Sequence, residues 1–460
     1  MRTKCLSLFA AAALVLQSFG WCSERPNIVL ILTDDQGVND VGCYGSEIRT
    51  PNIDSLAREG ARFDQFYVAS SICTPSRFAI LTGQYPSRSQ DELLGALMYL
   101  EDEERGLRPH ETTIASVLQK ADYSTALIGK WHLGHGAKEF LPTRHGFDFF
   151  RGHTGGCIDF YTMCYGNEKD WYENETIVDK TGYATDLITD EAVSYLRKEQ
   201  RKEEPFFLML AYNAPHYGKG WDDGNKSPIN ILQPPPNDLA RVSYIEDPTR
   251  RKFAAKVVNL DDGIGRVLEA LNASGLKENT LVVFVTDHGG DPKYGGRNLP
   301  LRGQKAGLFE GGIRVPCLMR WPAKIGPGTK ITSVVSALDF FPTFCELANV
   351  ETSTTKPDGL DLLGVISGDQ KLENRELFFE LGRHVTFPGK SWYALRKGDW
   401  KYVQTDSGDD FLFDIASDPN EEEDIQEQQA EVFAMMKART FELAESFRHA
   451  TDRPVSESVR

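Results

Sequence analysis

The run Asn27-Ile28-Val29-Leu30-Ile31-Leu32, followed by Thr33-Asp34-Asp35-Gln36-Gly37, decides how this chain is read. Its apolar stretch leaves no polar face, the pattern of a strand covered on both sides in a parallel sheet. It ends on two aspartates and a glycine. Acidic groups therefore stand at the carboxyl end of a strand, where open α/β sheets keep their ligand sites.

The same alternation recurs downstream. Helix-like stretches are expected at 52–60, 112–123, 184–199 and 254–275. The last three are followed by strand-like runs at 124–130, 205–216 and 280–290. Alternating helix and strand predicts a doubly wound α/β sheet. With 27–37 included, four strands end in polar or ionisable residues: TDD, GK, NAPH and TDHGG. That coincidence points to one shared site. After Asp339 the character changes. A polar stretch at 351–359 leads to short runs, ELFFEL, SWYALRKG, WKYVQT and FLFDIA, which predict a small antiparallel sheet closed by a helix over 421–448. The expected division is 1–23, 24–360 and 361–460.

A chain of 460 residues, 40% hydrophobic and 26% charged, can bury a sizeable core. The formal charge of −16 with no basic run excludes nucleic acid as a partner. An acidic protein that handles anions must concentrate positive charge in one pocket. Arg2 and Lys4, the apolar run from Leu6 to Leu16, and the small residues Ser18 and Gly20 read as a cleavable secretory signal. Export to the periplasm or medium is expected, and the apolar run is short for stable membrane insertion. Eight cysteines include no CxxC pair. Cys157 and Cys164 are a disulfide candidate in an oxidising compartment.

Asp34-Asp35 and Asp287-His288 each end a β-rich run. Carboxylates converging without a partner would repel, so a hard divalent cation is the natural reason for them. Calcium is the first choice because most ligands are oxygen; His288 keeps magnesium, manganese and zinc open. Cys73, in SSICTPSRFAILTG, precedes an apolar run, and Pro75 suits the first turn of a helix. A helix N-terminus favours an anion there. Cys73 is thus a reactive thiolate or the precursor of something else. Arg77 lies one turn away, Lys130 and His132 alternate in GKWHLG, His216 ends APH, and Lys305 precedes AGLFEGG. Alone, each cation reads as surface charge and each histidine as structural. Gathered around Cys73, they describe a pocket for a tetrahedral, multiply charged oxyanion.

CTPSR followed by LTGQYPSR resembles the signature of the formylglycine-dependent sulfatases of the alkaline phosphatase superfamily. ILTDDQG, GKWHLG, VTDHGG and KAGLFEGGIRVP resemble that family's other blocks, in the same order, over 26–343. The resemblance implies a large mixed, mostly parallel sheet flanked by helices, with a small C-terminal α+β subdomain. It implies that a separate maturation enzyme oxidises Cys73 to Cα-formylglycine before folding is complete. It further implies that Asp34, Asp35, Asp287, His288 and position 73 hold one cation, calcium by preference. Lys130, Lys305 and Arg77 would serve the sulfate and its nucleophile, with His216 protonating the leaving group and His132 taking a proton to release sulfate. The family's second acidic pair is more often Asp-Asn, so His288 is a departure that bears on metal preference.

Exported sulfatases mostly act on sulfated carbohydrates, which makes a sulfated glycan the expected substrate. His153 and Asp159, in an aromatic-rich insertion with Tyr161, Trp171 and Tyr172, are candidate sugar contacts; the aromatics serve equally well to pack the loop. Arg297 and Arg302 are candidates for a second anionic group. Two rivals are a phosphodiesterase or phosphonate monoester hydrolase on the same scaffold, and a non-catalytic glycan-binding relative.

Overall fold

The computed structural model describes residues 25–199, 203–352, 355–382 and 390–449. The expected signal segment lies outside them. Ten strands form the main sheet: β1 (Asn27–Asp34), β2 (Ala61–Phe63), β3 (Ser124–Lys130), β4 (Phe149–His153), β5 (Tyr172–Glu173), β6 (Thr176–Ile177), β7 (Phe206–Pro215), β8 (Thr280–Thr286), β9 (Cys317–Arg320) and β10 (Thr329–Ile331). Their spatial order is β10-β2-β9-β8-β1-β7-β3-β4-β5-β6. The central five, β8-β1-β7-β3-β4, are all parallel, and antiparallel pairs extend the sheet at both edges. The sheet is therefore large, mixed and mostly parallel, as the family resemblance implies.

Strand β1 sits in the middle, with Leu30 in register with Met209 of β7 and Val283 of β8. Its apolar residues divide between two cores. Ile28, Leu30 and Leu32 face one layer with α2 (Cys73–Thr82), α3 (Ile114–Lys120) and α6 (Phe340–Leu347). Val29 and Ile31 face the other, with α1 (Pro51–Glu59), α4 (Ala184–Glu199) and α5 (Pro248–Ala273). All five are fully buried. At about 1.5–3 kcal/mol for each buried aliphatic side chain, this strand is a major source of cohesion. The unbroken apolar run is thus explained by helices on both faces.

The C-terminal part forms a meander, β11 (Glu376–Leu381), β12 (Trp392–Lys397), β13 (Trp400–Gln404) and β14 (Asp410–Asp414), antiparallel throughout. Helix α7 (Ala430–His449) packs on it through Met436, Ala444 and Phe447. It starts later than the sequence suggests. Glu421 has a left-handed φ of 57° and turns its carboxylate inward, so the acidic run 421–424 does not join the helix. There Lys401 meets both Glu310, at 2.9 Å, and Glu421, at 2.8 Å, with all three side chains fully buried. Tyr67 Oη donates to Glu310 at 2.6 Å. This buried ionic cluster binds the meander to the loop after β8.

The disulfide candidate is corrected: Cys157 and Cys164 are both free thiols. Among the described residues, no helix is long and apolar enough to cross a membrane.

Candidate active site

Cys73 opens α2, whose residues are all buried. Ile72 is the N-cap and offers no side-chain acceptor, so the first-turn N–H groups remain available to an anion. Around Cys73 stand the ends of β1, β3, β7 and β8, which explains why four polar strand ends appear in sequence.

The ligand atoms of Asp34, Asp35, Cys73 and His288 lie within 4.8 Å of one another, all in buried residues. His288 Nε2 is 3.2 Å from Cys73 Sγ and 3.4 Å from both Asp35 Oδ1 and Asp287 Oδ1. The Nδ1–H of His288 donates to the Gly289 carbonyl at 3.0 Å, which turns Nε2 into the cluster. That is the arrangement of a metal-binding imidazole, with its second nitrogen anchored outside the site. Asp35 Oδ2 and Asp287 Oδ1 are buried without a hydrogen-bond partner. Orphaned carboxylate oxygens around an oriented imidazole fit a divalent cation well. Burial pushes His288 down, but Asp287 and Cys73 overcome this and hold it up at about 10. Burial, then the charge of Asp34, raises Asp287 to about 7.

Three cations crowd the same place. Lys130 Nζ donates to Asp34 Oδ2 at 2.5 Å, and Lys305 Nζ to Asp35 Oδ1 at 2.6 Å. Arg77 sets Nη2 3.1 Å from Asp287 Oδ2 and donates through Nη1 to the Lys130 carbonyl at 3.0 Å. Burial alone would raise the Cys73 thiol, but Lys130, Lys305 and His288 pull it well below the usual thiol range. Position 73 is therefore built to carry negative charge.

Two histidines flank it. His132 donates from Nε2 to the Leu97 carbonyl at 2.9 Å, and burial, then Lys130, lowers it to about 4. His216 donates from Nδ1 to the Tyr217 carbonyl at 2.8 Å, so Nε2 faces Lys305 Nζ at 3.1 Å and Asp35 Oδ2 at 3.5 Å. A close backbone approach supports this edge. A Cβ on Gly289 would stand 1.8 Å from the Gly311 oxygen, so glycine lets the DHGG turn meet the loop that carries Lys305.

The expected sugar contacts have other partners. His153 is fully buried beside Lys130 in register, with Nε2 unpartnered. Asp159 accepts from the backbone N–H groups of Tyr161 and Thr162 and from Gln233 Nε2. Arg297 pairs with Glu47 at 2.8 Å. Arg302 lies over the Phe309 ring at 4.1 Å and donates to the Glu421 carbonyl. Both arginines line a cleft of about 750 Å³. Sequence reasoning missed the Leu97 carbonyl, since a backbone acceptor leaves no residue-type signal. It also missed Thr74, whose Oγ1 donates to the His132 carbonyl and accepts from Leu97 N, both at 3.1 Å.

Comparison with known proteins gives concordant results. Residues 26–350 match the Sulfatase family model, and residues 304–446 match the N-sulphoglucosamine sulphohydrolase C-terminal model. The chain is 33% identical to N-acetylgalactosamine-6-sulfatase of Rattus norvegicus, covering 89% of this chain and 78% of that protein. It is 33% identical to arylsulfatase A of Homo sapiens, covering 82% and 75%. The crystal structure of Ps i-CgsB in complex with k-i-k-neocarrahexaose superposes with a TM-score of 0.82 at 31% identity, covering 95% of this chain and 96% of that one.

Proposed function

This chain belongs to the sulfatase family and is a sulfuric ester hydrolase, and from that premise we propose that it removes sulfate from sulfated carbohydrates at position 73. The observation that carries the reading is Cys73 at a helix N-terminus, inside a ring of Asp34, Asp35 and His288 and flanked by Lys130, Lys305 and Arg77. A thiol is a poor match for such a pocket. Cα-formylglycine, the family's oxidised cysteine, would place a diol oxygen where Sγ now stands. The glycan reading is supported by relatives named for N-acetylgalactosamine 6-sulfate and by a related structure named with a carrageenan-type hexaose.

Asp34, Asp35, Asp287 and His288 would hold one divalent cation, calcium by ligand preference. When bound, it supplies positive charge beside the nucleophile and a sulfate oxygen. The chain's own groups do the rest. The hydroxyl at position 73 passes its proton to Asp287 and attacks sulfur in line, while Lys130 and Lys305 neutralise sulfate oxygens. Arg77 holds Asp287 in place. His216, sharing its Nε2 edge with Lys305, gives a proton to the departing oxygen. The free Nδ1 of His132 then takes a proton from the second hydroxyl; that oxygen re-forms the aldehyde C=O as the bond from carbon to the sulfate oxygen breaks, and sulfate leaves. Export, and maturation by a formylglycine-generating enzyme, belong to the same proposal.

The test is the mass of the tryptic peptide containing position 73, from protein co-expressed with a maturation enzyme. It is paired with sulfate release from carrageenan and glycosaminoglycan oligosaccharides. An aldehyde or its hydrate, together with released sulfate, is expected. Unmodified cysteine despite active maturation machinery would overturn the mechanism. Turnover of an aryl phosphodiester in preference to any sulfate ester would overturn the substrate class.

A further inference from the structure

Lys256, on α5, is fully buried. Buried Lys130 and Lys401, and the partly exposed Lys305, each meet a carboxylate at hydrogen-bond distance. Lys256 does not: among the described residues, its polar partner is the backbone carbonyl oxygen of His216, to which Nζ donates. Its ammonium end lies 3.5 Å from the centre of the Phe160 ring. An unpaired lysine in such a place is costly, and an apolar side chain would fill the volume at less expense. Burial also drives it well below the usual lysine range, toward the neutral amine, which still donates a hydrogen bond. Its distinctive contribution is therefore that one bond.

The bond matters because of where His216 stands. The residue follows the last position of β7, beyond the sheet's hydrogen-bond ladder. Its ring is held by Nδ1 to the carbonyl of the next residue, by the Tyr217 ring tilted at 36° with ring centres 4.0 Å apart, and by Nε2 against Lys305 Nζ at 3.1 Å. The bond from α5 acts on the main chain, fixing the backbone that carries the ring, where the contact with Lys305 acts only on the ring's edge.

We propose that Lys256 is a positioning residue for leaving-group protonation, its hydrogen bond to the His216 carbonyl fixing the imidazole that delivers the proton. This rests on the acid role given above to His216. Misplacing a reacting group by about 1 Å costs on the order of 10²-fold. The loss falls on the step that needs the proton, so it grows as the leaving group becomes poorer.

The experiment compares wild type, Lys256→Met, Lys256→Gln and His216→Ala, each matured at position 73, on 4-nitrophenyl sulfate and unsubstituted phenyl sulfate. Lys256→Met is expected to lose about tenfold or more in kcat on phenyl sulfate and about two- to threefold on the nitrophenyl ester. Lys256→Gln, which keeps a donor, recovers part of the difference. Equal losses on both esters, or none, for Lys256→Met would overturn the inference while His216→Ala still discriminates between them. If His216→Ala itself loses equally on both, the acid role of His216 falls first. Should Lys256→Met fail to fold, the Gln variant carries the test: a loss equal on both esters overturns the inference, and a loss confined to phenyl sulfate supports it.

Discussion

The Nε2–H of His132 donates to the carbonyl oxygen of Leu97, 2.9 Å away, and this fixes which ring nitrogen can accept a proton. Nδ1 is left buried without a hydrogen-bond partner, close enough to Cys73 to influence its thiol. With the ring lowered to about 4, it is neutral and ready as a base throughout the physiological range. His132→Ala should therefore lower kcat by about 10²–10⁴-fold and leave sulfate retained on the matured protein after substrate addition. Intact-mass spectrometry reads the retained group. Rapid loss of sulfate from the variant would assign the base elsewhere.

The orphaned oxygens Asp35 Oδ2 and Asp287 Oδ1 predict dependence on a divalent cation. Chelation should abolish turnover, and calcium should restore it. At a free concentration a hundredfold above Kd, binding should add about 2.7 kcal/mol of stability and raise Tm. Metal analysis of the purified protein identifies the ion; stoichiometric zinc without calcium would remove the calcium assignment. Asp35→Asn should weaken this response without unfolding the chain.

The cluster of Lys401, Glu310 and Glu421 predicts a large stability loss from one substitution. Lys401→Met leaves two buried carboxylates facing each other without their shared cation and should cost about 3–5 kcal/mol. The pair Lys169–Asp179 is a useful contrast, because its side chains are 59% and 78% exposed. Lys169→Met should leave the unfolding midpoint essentially unchanged. Urea unfolding of both variants checks the comparison, and equal effects would contradict it.

His145 predicts an acid-side loss of stability. Burial lowers it from 6.5 to about 4, and its Nε2 donates to the Glu139 carbonyl. The folded state thus prefers the neutral ring. Its stabilising contribution is complete above the unfolded value of 6.5 and is lost as pH falls toward the folded value of about 4. The amount at stake is about 3 kcal/mol. Urea midpoints at neutral and mildly acidic pH should fall less steeply for His145→Gln than for wild type. Parallel slopes would show that His145 does not drive the acid limb.

Much of the main sheet was legible because β1 carries no polar face, a pattern that only helices on both sides can satisfy. The strands of the meander were legible for the opposite reason, being short and separated by turn residues. The start of α7 was misjudged because Glu421 looks helical by composition, whereas its inward turn toward Lys401 is a tertiary effect that no local preference encodes. At the site, strand-end residues announced themselves by type and position. Leu97 acts through its backbone, and Lys256 sits in the middle of an ordinary helical pattern; neither leaves a local signature. The pairing of Cys157 with Cys164 failed because closeness in sequence says nothing about whether two thiols face each other.

The loop after β8 carries Lys305 and, five positions on, Glu310, so one short segment serves both the ring of charged groups around Cys73 and the meander's buried anchor. Exchanging the C-terminal part with that of a relative is therefore not a modular operation. A chimaera joined after this loop would inherit a Glu310 fitted to one meander and face another, and the mismatch would reach Lys305 through a few residues of backbone. Variation in the meander is thus constrained by the site it packs beside, and libraries meant to alter substrate choice should keep the loop and its meander from the same parent.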